Sequence, residues 1–180
     1  MITEKLYETD PHLSLFRAKV LSCAPAKKGF DVVLDRTAFF PEGGGQAADT
    51  GFIGEVPVSD VRLEGETILH KTPSPLTAGE EYDCRLDWDT RFARMQNHSA
   101  EHIVSGLLHT LYGCTNVGFH MGSGSVTLDL DLPLTGEIVS DVEKKANKAV
   151  SDTRNSTVSI RLISLPRSEY GVFFPKSPKP

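Results

Sequence analysis

The chain has no apolar run approaching the roughly 18 residues that cross a bilayer as a helix. Its opening, Met1-Ile2-Thr3-Glu4-Lys5-Leu6, also lacks the apolar stretch of a signal peptide. A cytoplasmic protein without a membrane association is the expectation. Cysteine is scarce: Cys23, Cys84 and Cys114 are odd in number, widely spaced and without a Cys-x-x-Cys. That usage excludes a disulfide scaffold and fits reduced, buried thiols. The one glycine-rich segment lacks the GKS or GKT ending of a P-loop and the spacing of a dinucleotide fingerprint, which argues against a nucleotide site. Excess positive charge is missing too, and a net charge of -5 argues against indiscriminate binding to phosphate.

What is present is 180 residues with 39% apolar content, enough for one sizeable core or two small ones. Charge is uneven. Residues 141–180 hold eight Lys and Arg against four Asp and Glu, and residues 1–140 hold eleven against twenty. A basic end on an acidic body can orient a nucleic acid or simply form a solvated face.

The first half reads as short strands between turns. Leu15–Leu21 and Phe30–Leu34 have β-type content, with a turn at Ala24–Gly29, and read as a hairpin. Further strands are expected at Gly51–Ile53, Val56–Leu63, Thr67–His70 and Tyr82–Leu86, at the spacing of a small barrel or sandwich. After Asp87-Trp88-Asp89 the period changes. Phe92, Met95, Ala100, Ile103, Val104, Leu107, Leu108 and Leu111 recur at three and four residues, giving a long helix capped by Asp89 or Thr90 and stopped by Gly113. Beyond a turn at Gly122-Ser123-Gly124, a strand is expected over Ser125–Asp131, a helix over about Glu137–Thr153 and a strand over Val158–Ile163, a β-α-β style second half. The proline-rich end from Phe174 disfavours regular structure. The fold expected is α+β: a small, β-barrel-like, glycine-rich N-terminal domain over 1–87, followed by an α/β domain over 88–180.

The sharpest chemical feature is His98-Ser99-Ala100-Glu101-His102 inside the long helix. Residues four apart share a helix face with Cβ atoms about 5–6 Å apart, so two imidazoles so placed can hold one metal. Zinc suits them, but a catalytic zinc needs a third protein ligand and an open position. Two histidines at this spacing also arise by chance. His109 reads as an ordinary, partly buried histidine. The second feature is Arg36-Thr37-Ala38-Phe39-Phe40-Pro41-Glu42-Gly43-Gly44-Gly45-Gln46-Ala47-Ala48-Asp49-Thr50-Gly51. Consecutive glycines cost backbone entropy, so they are kept where a backbone approaches another group closely or takes a positive φ.

Taken together, the glycine-rich segment, the His-x-x-x-His helix about fifty residues later, and Gly118-Phe119-His120 ahead of Val126-Thr127-Leu128-Asp129 resemble the freestanding alanyl-tRNA editing proteins. The likeness is to their medium-length members, which are similar to the editing domain of alanyl-tRNA synthetase. The resemblance covers nearly the whole chain. It implies a trans-editing hydrolase that cleaves the ester of serine, or in some members glycine, mischarged on alanine tRNA. The second half would then be a zinc editing domain, with no lasting protein partner implied. It also implies zinc as cofactor, with His98 and His102 as ligands beside a later Cys-x-x-x-His pair. No cysteine follows Cys114 and no histidine follows His120, so the chain is expected to stop before the site is complete. Thr37 would contact a serine hydroxyl, and Gly43, Gly44, Gly45 and Gln46 would close the substrate side. Glu101 is a candidate general base, although its place one residue before His102 points it to another helix face. Zinc can polarise the ester carbonyl, activate water or position substrate. Such an activity has a reason to exist, because a synthetase pocket rejects a similar-sized residue with an added hydroxyl poorly and a second hydrolytic site supplies the discrimination.

Other readings stay open. His98-x-x-Glu101-His102 is literally the H-x-x-E-H of inverzincin peptidases, with Glu169 as a distant third ligand. A tRNA-binding or interaction module with a degenerate zinc site is another, and Cys114 and His120 are substitute ligands in a third. Lys144, Lys145, Lys148 and Arg154 either face the tRNA or form a solvated helix surface.

Overall fold

The computed structural model of the chain describes residues 2–122, 125–152, 161–164 and 169–173, the last two segments as backbone. It divides into two compact units, Met1–Ala93 and Arg94–Pro180.

In the first unit the strands are β1 (Glu4–Lys5), β2 (Leu15–Pro25), β3 (Phe30–Leu34), β4 (Arg36–Thr37), β5 (Gly51–Ile53), β6 (Val56–Val58), β7 (Asp60–Glu64), β8 (Thr67–Thr72) and β9 (Glu81–Leu86). Seven of them form one sheet in the order β6-β5-β9-β2-β3-β8-β7, with every pairing antiparallel. β2 makes the curvature. Its first half pairs with β9, its second half with β3, and the register shifts between Val20 and Ser22. Such a bulge bends a strand and strengthens its twist. The two edge strands, β6 and β7, are separated in sequence by Ser59 alone, whose amide donates to Lys71 O at 3.0 Å. The edges therefore come together and the sheet is nearly closed. Pro57 is tolerated because β6 is an edge, where a missing N–H costs no ladder bond.

Val20, Val32, Leu34, Phe39, Ile53, Val61 and Ile68 fill the interior with no exposed surface. Gly29 closes the β2–β3 hairpin at φ +76°, and a Cβ there would lie 2.2 Å from Thr72 O. The expected strands are present, although the Val56–Leu63 stretch breaks at Ser59 into β6 and β7.

Helix α1 (Trp88–Tyr112) begins in this unit. Asp87, rather than the expected Asp89 or Thr90, caps it: its carboxylate accepts the Thr90 N–H at 3.3 Å and the Thr90 hydroxyl at 2.8 Å. The acceptor must precede the first turn to reach an orphan amide of it. Gly113, at φ +65°, ends the helix. Its N–H reaches His109 O, the bond of an αL stop, and the Cys114 N–H reaches Leu108 O.

The second unit adds β10 (Asn116–Met121), β11 (Val126–Leu130), α2 (Gly136–Asp152), β12 (Arg161–Ser164) and β13 (Glu169–Phe173). The sheet order is β10-β11-β13-β12, again antiparallel throughout. The expected β-α-β order is present in β11, α2 and β12. Both β11 and β12 run antiparallel to β13, which lies between them, so they share one direction and form a split β-α-β in a sheet whose hydrogen-bonded neighbours are all antiparallel. Ala100, Val104 and Leu108 of α1, Val126, Leu128 and Leu130 of β11, and Val139, Val142 and Ala146 of α2 form its core. β10 and β13 were not expected. Phe92 and Leu111, counted in the apolar pattern of α1, are exposed. Thr153, the start of the strand expected at Val158 and the proline-rich end lie outside the described residues. No helix among the described residues is long and apolar enough to cross a membrane.

Candidate functional site

On α1, Ala100, Val104 and Leu108 face the core, and at 100° per residue His98, His102 and Ser105 run along an adjacent ridge with Glu101 between ridge and core. The His98 and His102 rings stand 4.8 Å apart between centroids, tilted by 32°, and Phe119 from β10 lies 5.5 Å from His98. Among the described residues, His98, Glu101 and His102 form the one group of three whose ligating atoms approach one another, all within 4.8 Å. Two nitrogens on one tetrahedral zinc sit about 3.3 Å apart. The two imidazoles and the carboxylate thus offer nitrogen and oxygen ligands that could hold one metal ion.

Glu101 is buried while His102 is exposed. Its Oε1 accepts from Ser105 Oγ at 2.5 Å and from Asn116 Nδ2 at 2.8 Å, and its Oε2 lies 3.2 Å from His102 Nδ1. The expectation that neighbouring helix positions keep Glu101 away from His102 is thus corrected. Their Cβ directions diverge, but a three-bond side chain and a ring bridge the difference.

Cys114 and His120 do not join this group. Cys114 is sealed in the core, where burial pushes its thiol above the usual range. His120 alternates with Phe119 on β10, is exposed and lies 3.5 Å from Asp129. His109 is exposed. Lys144, Lys145 and Lys148 are exposed on α2, opposite its buried face, and Lys145 pairs with Asp141. Arg154 and the side chain of Glu169 lie outside the described residues.

In the first unit, Gly43-Gly44-Gly45-Gln46 is a two-residue turn. The Gly43 and Gln46 main chains exchange both hydrogen bonds, at 3.1 and 3.0 Å, around Gly44 and Gly45 at φ +58° and +79°. Two successive positive φ angles are those of a type I′ turn and call for glycine. Gly43 to Gly45 are exposed and Gln46 is buried.

Thr37 is fully buried. Its Oγ1 lies 2.8 Å from His70 Nε2 and accepts the Phe39 N–H at 3.1 Å. Such a hydroxyl touches a ligand only by exchanging one of these partners. His70 Nδ1 lies 3.1 Å from Val32 O and, since a carbonyl only accepts, carries the proton. Nε2 therefore accepts from Thr37. Burial lowers the His70 pKa to about 4. Unfolded, it binds a proton near the ordinary 6.5, so stability it confers is full above that pH and is lost as pH falls towards 4. The total is about 3 kcal/mol. Urea unfolding of the wild type and His70→Gln between pH 7 and 4.5 should show the wild-type advantage shrinking by about 1.4 kcal/mol per pH unit below 6.5. A pH-independent gap would mean that His70 binds its proton equally well in the folded and unfolded chain.

Sequence reasoning missed Arg91 and Asp49, which are buried together. Arg91 Nε donates to Asp49 Oδ2 at 2.8 Å, Nη2 to Ala38 O at 2.6 Å and Nη1 to Pro11 O at 3.1 Å, and Asp49 Oδ2 also accepts the Phe40 N–H at 2.8 Å. Both ends of the glycine-rich segment are thereby tied to the first turn of α1. A cavity of about 500 Å³ lies beside this region, lined by Thr50, Phe52, Pro57, Arg85 and Trp88 among others.

Residues 13–90 match the model of the class II (A) tRNA synthetases. The chain is 36% identical over 176 residues to alanyl-tRNA editing protein Aarsd1-B of Xenopus laevis, covering 91% of this chain and 42% of that protein. It is 34% identical over 174 residues to alanyl-tRNA editing protein Aarsd1 of Mus musculus, covering 89% and 42%. It is also 34% identical over 175 residues to the alanine–tRNA ligase of Ignicoccus hospitalis, covering 93% of this chain and 18% of the ligase. The chain thus spans less than half the length of the curated relatives it matches. On a likeness that runs through both units, the chain belongs to the family of the alanyl-tRNA editing proteins and the related segment of alanine–tRNA ligases.

Proposed function

We propose that the protein is a trans-editing deacylase that hydrolyses Ser-tRNA(Ala), and Gly-tRNA(Ala) as a second substrate, using zinc held by His98 and His102. The observation that carries the reading is the likeness over 91% of the chain to a protein named for alanyl-tRNA editing, and the paired imidazoles supply a place for its chemistry. Zinc, when bound, supplies Lewis acidity towards the ester carbonyl. The remaining work falls to this chain's side chains. His98 and His102 hold the ion on the ridge of α1, and Phe119 packs one side of His98. Gly43, Gly44, Gly45 and Gln46 frame the substrate side as a rigid turn, with Thr37 held within the same segment by His70. The exposed face of α2, with Lys144 and Lys148, offers phosphate contacts that position a tRNA without specifying it.

The peptidase reading loses support because Glu101, its water activator, is buried with both oxygens close to protein partners. The test is single-turnover hydrolysis of Ser-tRNA(Ala), Gly-tRNA(Ala) and Ala-tRNA(Ala) by the zinc-loaded full-length protein. Faster release of serine than of alanine is the expected result. Binding of tRNA with no release of any amino acid would leave an interaction module and end the enzyme reading.

A further inference from the structure

Among the described residues, Glu101 is the one buried charged side chain of the second unit. A carboxylate taken out of water must be compensated by hydrogen bonds, and here they are arranged in series. β10 changes register between Asn116 and Gly118, and across this irregularity the Gly118 N–H donates to Asn116 Oδ1 at 3.0 Å. Asn116 so held turns its amide towards Glu101 Oε1 at 2.8 Å and Ser105 Oγ at 3.2 Å, while the Ser105 hydroxyl donates to the same Oε1 at 2.5 Å. With Oε1 held by two donors, Oε2 is left facing His102 Nδ1 at 3.2 Å.

We infer that Glu101 is a positioning residue, which fixes His102 with its proton on Nδ1 and thereby leaves the lone pair on the exposed Nε2 for a metal. The inference rests on the metal-binding reading above and replaces the general-base role for Glu101. An ionised carboxylate only accepts, so the nitrogen facing it must be the one that carries hydrogen. An imidazole whose other nitrogen donates to a carboxylate is held in one tautomer and one ring orientation, and is made a more basic ligand. Glu101 gains that hold from outside its own helix, through Asn116. Its influence on the site passes through His102.

The tautomer can be read without any metal. Long-range 1H–15N correlation spectra of the full-length protein, at a pH where His102 is neutral, are expected to show Nδ1 as the protonated nitrogen. In Glu101→Gln the side-chain carbonyl keeps the bonds from Ser105 and Asn116, which turns the amide NH2 towards Nδ1. The proton should then move to Nε2, and affinity for zinc ions, measured by competition with a chromophoric chelator, should fall about 10- to 100-fold. The same substitution in a His102→Ala background should change zinc affinity little, because the residue it acts through is gone. Nε2–H in the wild type, an unchanged tautomer in Glu101→Gln, or an equal loss of affinity with His102 already removed would each overturn the inference. The wild-type spectrum decides the tautomer even if Glu101→Gln folds poorly. An Nδ1–H wild type that takes up no zinc would instead remove the metal reading and leave the orienting role of Glu101 standing.

Discussion

Replacing His98 and His102 together by alanine is expected to remove bound zinc and to slow deacylation of Ser-tRNA(Ala) about a thousandfold, the equivalent of several kcal/mol of lost Lewis-acid stabilisation. The fold should survive. His98 is half-buried, His102 is exposed, and neither belongs to the core that Ala100, Val104 and Leu108 build. Alanine also favours the helix. The variant therefore separates chemistry from stability: metal content and single-turnover rate should collapse while the unfolding midpoint stays within about 2 °C of the wild type, the shift produced by a few tenths of a kcal/mol. Full activity without zinc in the variant would remove the metal from the mechanism and leave the ridge of α1 as surface.

The largest effect on stability is expected from Arg91→Met. The guanidinium is 3% exposed and its partner Asp49 is 1% exposed. Removing one member of a buried pair leaves the other as an uncompensated charge, which costs about 3–5 kcal/mol. Asp49 has little reserve, since its Oδ1 is already the one buried side-chain oxygen or nitrogen without a hydrogen-bond partner among the described residues. The carbonyls of Ala38 and Pro11 lose their donors in the same step. Against a typical total of about 5–15 kcal/mol, the first unit would approach the edge of folding. Urea denaturation measures it, and a loss below about 1 kcal/mol, the value of an exposed ion pair, would show that Arg91 does not hold the segment.

Much of the first unit is legible in the order of residues because its strands alternate and its turns carry glycine or proline. The helix of the second unit is legible from its period, and the metal pair from the four-residue spacing of His98 and His102. Contacts between distant residues are not. Asp49 and Arg91 are 42 positions apart, and nothing local marks either as a buried ion. Asn116 reaches Glu101 from 15 positions away, so the bracing of His102 becomes visible only once β10 is in place. β10 itself, Asn-Val-Gly-Phe-His-Met, contains a glycine and two polar residues in six and reads as a loop until β11 pairs with it. Thr37 illustrates the opposite case. Its segment is recognisable, yet its burial against His70 depends on β8, which no motif connects to it.

The bend in β2 has a bearing on how the first unit comes to be made. Its second half finds β3 within a few residues, so that hairpin can close while the chain is still emerging from the ribosome. Its first half waits for β9, and the pairing of Leu15 with Arg85 encloses some seventy intervening residues. A long-range closure of this kind pays its loop entropy late and slows folding. Until Leu86 has been synthesised, the stretch Leu15–Lys19 carries an unsatisfied strand edge, which is the part of the nascent protein most open to mispairing with another chain.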